Sequence, residues 1–157
     1  MPFLIRYPKI IKPGSICPDI ISNVDFAATF LDLAGLTIPT YMQGRPFTKL
    51  LQGATPANWQ QVAYYRYWMH NEVSHETCAH YGVRNQKYKI IYWYNKSYGL
   101  PGTRPGGEEP EWELFDCDAD PLELVNIFHD PDHTETVRQM QQVLNQKMAE
   151  IGDIPEH

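Results

Sequence analysis

The chain is short of positive charge and of cysteine, and it has no long apolar run. Its 157 residues carry 13 Lys and Arg against 19 Asp and Glu, a formal charge of −6. The cations are scattered singly. That excludes a broad nucleic-acid surface, because phosphate backbones are held by clustered Lys and Arg. No segment approaches the roughly 18–20 consecutive apolar residues of a membrane span, so no membrane contact is expected. Met1–Ile5 is apolar, but Arg6 interrupts it and no small-residue cleavage site follows, so the stretch does not read as a secretory signal. Three cysteines, Cys17, Cys78 and Cys117, cannot all pair within one chain, and buried free thiols are expected. No internal repeat is visible.

What is present suits a folded protein. At 43% hydrophobic and 13% aromatic, with 20% charged residues, the chain has enough apolar surface for a core. Its length fits one domain, or a small domain plus part of another. Phe3-Leu4-Ile5-Arg6-Tyr7 after Pro2 reads as a short buried-type strand ended by Pro8. Ser22 or Asn23 can cap a helix running to about Ala34, with Asp25 near the capping-box position and Gly35 as its C-terminal stop. Val24, Phe26, Ala27, Phe30, Leu31 and Leu33 cover most of that helix, which predicts burial on more than one side. One further helical turn is expected over Phe47–Leu51.

From Gln61 the texture becomes aromatic and strand-like. Strands are predicted at 62–68, 81–84, 88–94 and 111–116, with Asn85-Gln86-Lys87 as a hairpin turn. The Gly- and Pro-rich stretch from Tyr98 to Pro110 reads as a loop. Val137, Met140, Leu144, Met148 and Ile151 recur at spacings of three and four, which predicts an amphipathic helix ended by Gly152. The fold class is therefore α+β: about four antiparallel strands packed by a C-terminal helix, preceded by a strand and a helix of α/β character. The division expected is 1–56 and 57–157.

Three polar groupings invite a chemical reading. His70, His75 and His80 recur every five residues with Cys78 among them, but that spacing converges on a metal only if a loop folds it together. His70 and His75, beside Tyr67 and Trp68, can line a saccharide cleft, since aromatic faces stack on sugar rings; the same aromatics can equally be sheet core. Asp116, Asp118 and Asp120 alternate like a calcium loop, yet Pro121 and Ile127 stand where an EF-hand needs Gly and Glu, so a turn explains them better.

Several stretches in sequence order resemble the sulfatase family. They are Pro2–Tyr7, the helix Ser22–Gly35, the turn Gln43-Gly44-Arg45, His80-Tyr81-Gly82-Val83-Arg84 leading into Tyr88-Lys89-Ile90-Ile91, and Trp112–Asp116 with Asp120-Pro121, Glu123 and Asn126 after it. The resemblance is to the C-terminal region, of arylsulfatase or N-sulfoglucosamine sulfohydrolase type. It implies that 1–56 is the tail of an α/β, alkaline-phosphatase-like catalytic domain and 57–157 the C-terminal α+β subdomain. The family's nucleophile is a Cys or Ser in a C/S-x-P/A-x-R setting, converted to formylglycine, and its divalent cation, usually calcium, has oxygen ligands. Neither Cys17, Cys78 nor Cys117 stands in such a setting. The resemblance therefore implies a chain inactive alone and without a cofactor of its own. It also implies calcium in the complete enzyme, a missing N-terminal catalytic domain as partner, and a sulfated, glycosaminoglycan-type saccharide as substrate. It places His80 near the mouth of the active site, where the imidazole either meets substrate or caps a strand end. Arg84 either joins it or pairs with a carboxylate. A stand-alone carbohydrate-binding or interaction domain is the alternative, and a small protein binding metal through His70, His75, Cys78 and His80 is a third.

Overall fold

The computed structural model describes residues 3–157 and divides the chain into two units, Met1–Gln61 and Val62–His157.

In the first unit, helix α1 spans Val24–Leu33 and the single turn α2 spans Thr48–Leu51. The capping expected of Ser22 or Asn23 is met differently: Asn23 makes no side-chain cap, and the Asp25 carboxylate instead accepts the Ser22 backbone N–H at 2.8 Å. Its other oxygen accepts the Arg45 N–H at 2.8 Å, so one carboxylate ties the helix start to the Gln43-Gly44-Arg45 turn. Buried Thr29 continues the seam, its hydroxyl accepting the Phe47 N–H at 3.0 Å. The helix is buried on one side only. Ala28 and Thr29 face inward, while Val24 and Phe30 are exposed.

The strand expected over Pro2–Tyr7 is not formed. Pro2 lies outside the described residues, and Phe3–Tyr7 carries no ladder bonds. A strand needs a neighbour for its N–H and C=O groups, and apolar content does not substitute for one. Phe3 instead packs edge-on against Phe26 and Phe47, at centroid distances of 4.9 and 5.9 Å.

The second unit is a four-stranded antiparallel meander, β1 (Ala63–Tyr67), β2 (His80–Arg84), β3 (Tyr88–Trp93) and β4 (Glu111–Asp116), with neighbours paired in chain order. Helix α3, Thr134–Ile151, follows. Strand side chains alternate between faces. Tyr81, Val83, Ile90, Tyr92 and Leu114 therefore share a core with Met140, Leu144 and Met148 of α3. Each fully buried side chain of this kind contributes about 1.5–3 kcal/mol relative to exposure.

Side chains set the register at the turns. Asn85 Oδ1 accepts the N–H groups of Lys87 and Tyr88 and so closes the β2–β3 hairpin. Asp116 accepts those of Asp118 and Ala119, and Asp120 those of Leu124 and Val125. The three alternating aspartates thus build a turn. Asn126 then bonds the Leu114 N–H and the Trp112 carbonyl, which covers part of the free edge of β4. After α3, Gly152 (φ 73°) turns the chain back. There Asp153 accepts from Arg66 at 2.6 Å, and the Tyr81 hydroxyl meets the Glu156 N–H at 2.8 Å and His157 Nδ1 at 2.6 Å. Burial pushes the Tyr81 phenol up to about 12.

Candidate functional site

The two long connections of the meander, 68–79 and 94–110, leave the same end of the sheet. In register there, on the face away from α3, stand Tyr67, His80, Trp93 and Glu111. The His80 ring lies 4.3 Å from Trp93 and is stacked on Tyr67 at 5.6 Å. Its Nδ1 lies 2.8 Å from the Cys78 carbonyl, which can only accept, so the proton sits on Nδ1 and the Nε2 lone pair is left as an acceptor. Burial, aided by Lys89, holds the imidazole below the ordinary histidine range, with the Cys78 carbonyl and Glu113 opposing. Glu113 accepts the Trp93 indole N–H at 2.7 Å and fixes that ring. Gly82, the next outward position on β2, lies under Tyr65, whose phenol is pushed well above its usual value by burial.

The sequence-predicted residues do not converge. His70 is fully buried. Its Nδ1 accepts the Ala79 N–H at 3.1 Å, which leaves Nε2–H to donate to the Gly106 carbonyl. A Cβ on Gly107 (φ 145°) would stand 2.8 Å from that nitrogen, so the glycine lets the loop close over the ring. Both ring nitrogens serve the fold: His70 pins the 94–110 loop to the 68–79 loop. His75 lies in a surface turn with its side chain 71% exposed, bonded to Glu72 at 2.9 Å. Arg84 sits at the far end of β2, half-exposed and 3.6 Å from Glu123, which also holds Lys89. Among the described residues no three His, Cys, Asp or Glu side chains gather into a metal-ligating group. Sequence reasoning missed Trp93 and Glu113, because they join His80 only through the strand register.

Alanine at His70 is expected to strip partners from the Ala79 N–H and the Gly106 carbonyl. The unit should lose about 3 kcal/mol. Hydrogen exchange should rise across 98–110 before the sheet opens. Unchanged protection of that loop would contradict the pinning role.

Residues 1–150 match the family described as N-sulphoglucosamine sulphohydrolase, C-terminal. The chain belongs to this sulfatase family. Among sulfatases it is 39% identical over 155 residues to an N-acetylglucosamine-6-O-sulfatase of Bacteroides thetaiotaomicron, covering 98% of this chain and 25% of that protein. It is 30% identical over 172 residues to an ulvan-active sulfatase of Formosa agariphila, covering 98% of this chain and 34% of that protein. It also superposes with a TM-score of 0.82 and 37% identity on a protein solved in complex with its substrate D-glucosamine-2-N,6-O-disulfate, covering 94% of this chain and 28% of that one. Two phosphonate monoester hydrolases share the fold at 18% identity, with TM-scores of 0.61 and 0.70. The chain therefore spans about a quarter to a third of the length of these sulfatases.

Proposed function

We propose that the chain is the C-terminal portion of a sulfatase acting on a sulfated amino sugar, and that the sheet end around His80 forms a wall of its substrate cleft. The carrying observation is the fixed His80 tautomer. With Nδ1 committed to the Cys78 carbonyl, Nε2 accepts a hydrogen bond from a sugar hydroxyl. A neutral imidazole suits a hydroxyl better than a sulfate. Trp93, held by Glu113, offers a ring beside it, while Arg84 lies at the far end of the strand.

The remaining parts of the reading follow from what this chain contains. On this reading the calcium expected in the complete enzyme is held by oxygen ligands of the N-terminal catalytic portion. The nucleophile belongs there too. The first unit is read as the tail of that domain; its exposed Leu4, Ile16, Val24 and Phe30 are the apolar surface a larger α/β layer would cover.

The purified 157-residue chain is expected to release no sulfate from an aryl sulfate or from N-acetylglucosamine-6-sulfate. Substituted for the matching segment of the Bacteroides thetaiotaomicron N-acetylglucosamine-6-O-sulfatase, it should sustain hydrolysis. His80→Ala in that chimera should raise KM by about three- to tenfold, the value of one lost neutral hydrogen bond. Turnover by the isolated chain would sink the first expectation, and an unchanged KM the second.

A further inference from the structure

Tyr65 is the outward residue of β1 before Tyr67, and it pairs in register with Gly82 of β2. A side chain on Gly82 would bar its ring. A Cβ there would stand 2.8 Å from the Tyr65 hydroxyl and 3.1 Å from the ring carbon that bears it. Because residue 82 is glycine, the phenol lies across β2, and its hydroxyl rests over the strand one outward position along from His80. The Tyr65 and His80 rings meet edge to face at 5.9 Å.

That hydroxyl forms no hydrogen bond to any described residue. Burial first, and then the Glu113 charge, hold the phenol well above its ordinary value. It therefore keeps its proton through the neutral range and is available as a donor. Glu113 itself is engaged with the Trp93 indole N–H. A partly buried polar group ordinarily finds a partner, and this one stands open beside the candidate cleft. The wall thus carries two complementary open positions, the His80 Nε2 acceptor and the Tyr65 O–H donor. A sugar hydroxyl suits both, because it can donate and accept. A sulfate oxygen only accepts, and Glu111 and Glu113 on the same face oppose its charge.

We propose that Tyr65 is a second substrate contact which, with His80, selects a free hydroxyl over a sulfated one at the sugar edge facing the sheet. The proposal rests on the reading of the His80 sheet end as a cleft wall and adds to it a specificity. The sulfates of the substrate accordingly point away from the sheet.

The test uses the chimera with the Bacteroides thetaiotaomicron enzyme, supplied with N-acetylglucosamine-6-sulfate and with its 3-deoxy and 4-deoxy analogues. Tyr65→Phe removes one oxygen and keeps the ring, and it should raise KM for the parent sugar about three- to tenfold. With one of the two deoxy analogues it should raise KM no further, since the bond it deletes is already gone. Unchanged KM in Tyr65→Phe overturns the proposal, and a lowered melting temperature alongside it would mean that the hydroxyl bonds to the catalytic portion instead. Penalties that multiply for both analogues overturn it as well. If His80→Ala still raises KM in either case, the cleft reading stands and Tyr65 alone falls; if His80→Ala has no effect, both fall. Should the chimera not turn over, calorimetric Kd values for the same three sugars replace KM, and absence of saturable binding overturns the proposal together with the cleft reading.

Discussion

Alanine at Gly82 should lower the stability of the sheet unit by about 3 kcal/mol or more, at the upper end of what added volume costs a packed interior. A Cβ there would stand 2.2 Å from the Ile90 carbonyl oxygen and 2.8 Å from the Tyr65 hydroxyl. The phenol can swing away. The carbonyl cannot, because Ile90 is a fully buried core residue of β3. Relief therefore requires the β2–β3 ladder to open, and β3 is a central strand of the sheet. The measurement is urea unfolding followed by far-ultraviolet circular dichroism, with Gly53→Ala as reference; Gly53 has open space around it and reports only its φ of 79°. A Gly82→Ala midpoint equal to that of the parent would refute the close approach.

Gly44→Ala should cost the first unit as much or more. The added Cβ would lie 1.9 Å from the Val24 carbonyl oxygen, 2.4 Å from its carbon and 2.8 Å from the Asp25 nitrogen, all backbone. The turn must then withdraw from the start of α1. That breaks the Arg45 N–H bond to Asp25 and, through Phe47, the bond to Thr29. Since Trp59 belongs to this unit and donates its indole N–H to Ile20 at 2.9 Å, loss of structure is readable as a shift in tryptophan emission. Emission and melting curves like those of the parent chain would show that the turn does not need to lie on the helix.

The local code carried the elements whose partners are near in sequence. The period of α3, the Asn85 hairpin and the alternation of β4 were legible because each rests on residues within a few positions. The aspartates at 116, 118 and 120 were legible as a turn by elimination. Phe3–Tyr7 misled because its composition suits a strand while its hydrogen-bond partners are a separate matter. His70 was legible as chemistry-bearing, but its burial depends on Gly106, which stands 36 positions away. Glu123, at φ 56°, takes a conformation that the sequence does not announce and that costs a non-glycine side chain about 1 kcal/mol or more; its pairing with Lys89 and Arg84 offsets this only in the folded sheet. Trp93 and Glu113 illustrate the same limit, since register is a property of the pair of strands rather than of either one.

The meander has one closed end and one open end. The closed end is stitched by Asn85, Asp116 and Asp120, and it sets the register of β2, β3 and β4. The open end carries both long connections, each anchored on adjacent strands roughly 5 Å apart. Doubling the length of such a connection costs only about 0.6 kcal/mol of closure entropy. Lineages can therefore lengthen, shorten or exchange these loops with little penalty, provided that the His70–Gly106 contact is kept, and a protein engineer can graft donor loops there while the stitched end holds the sheet in frame.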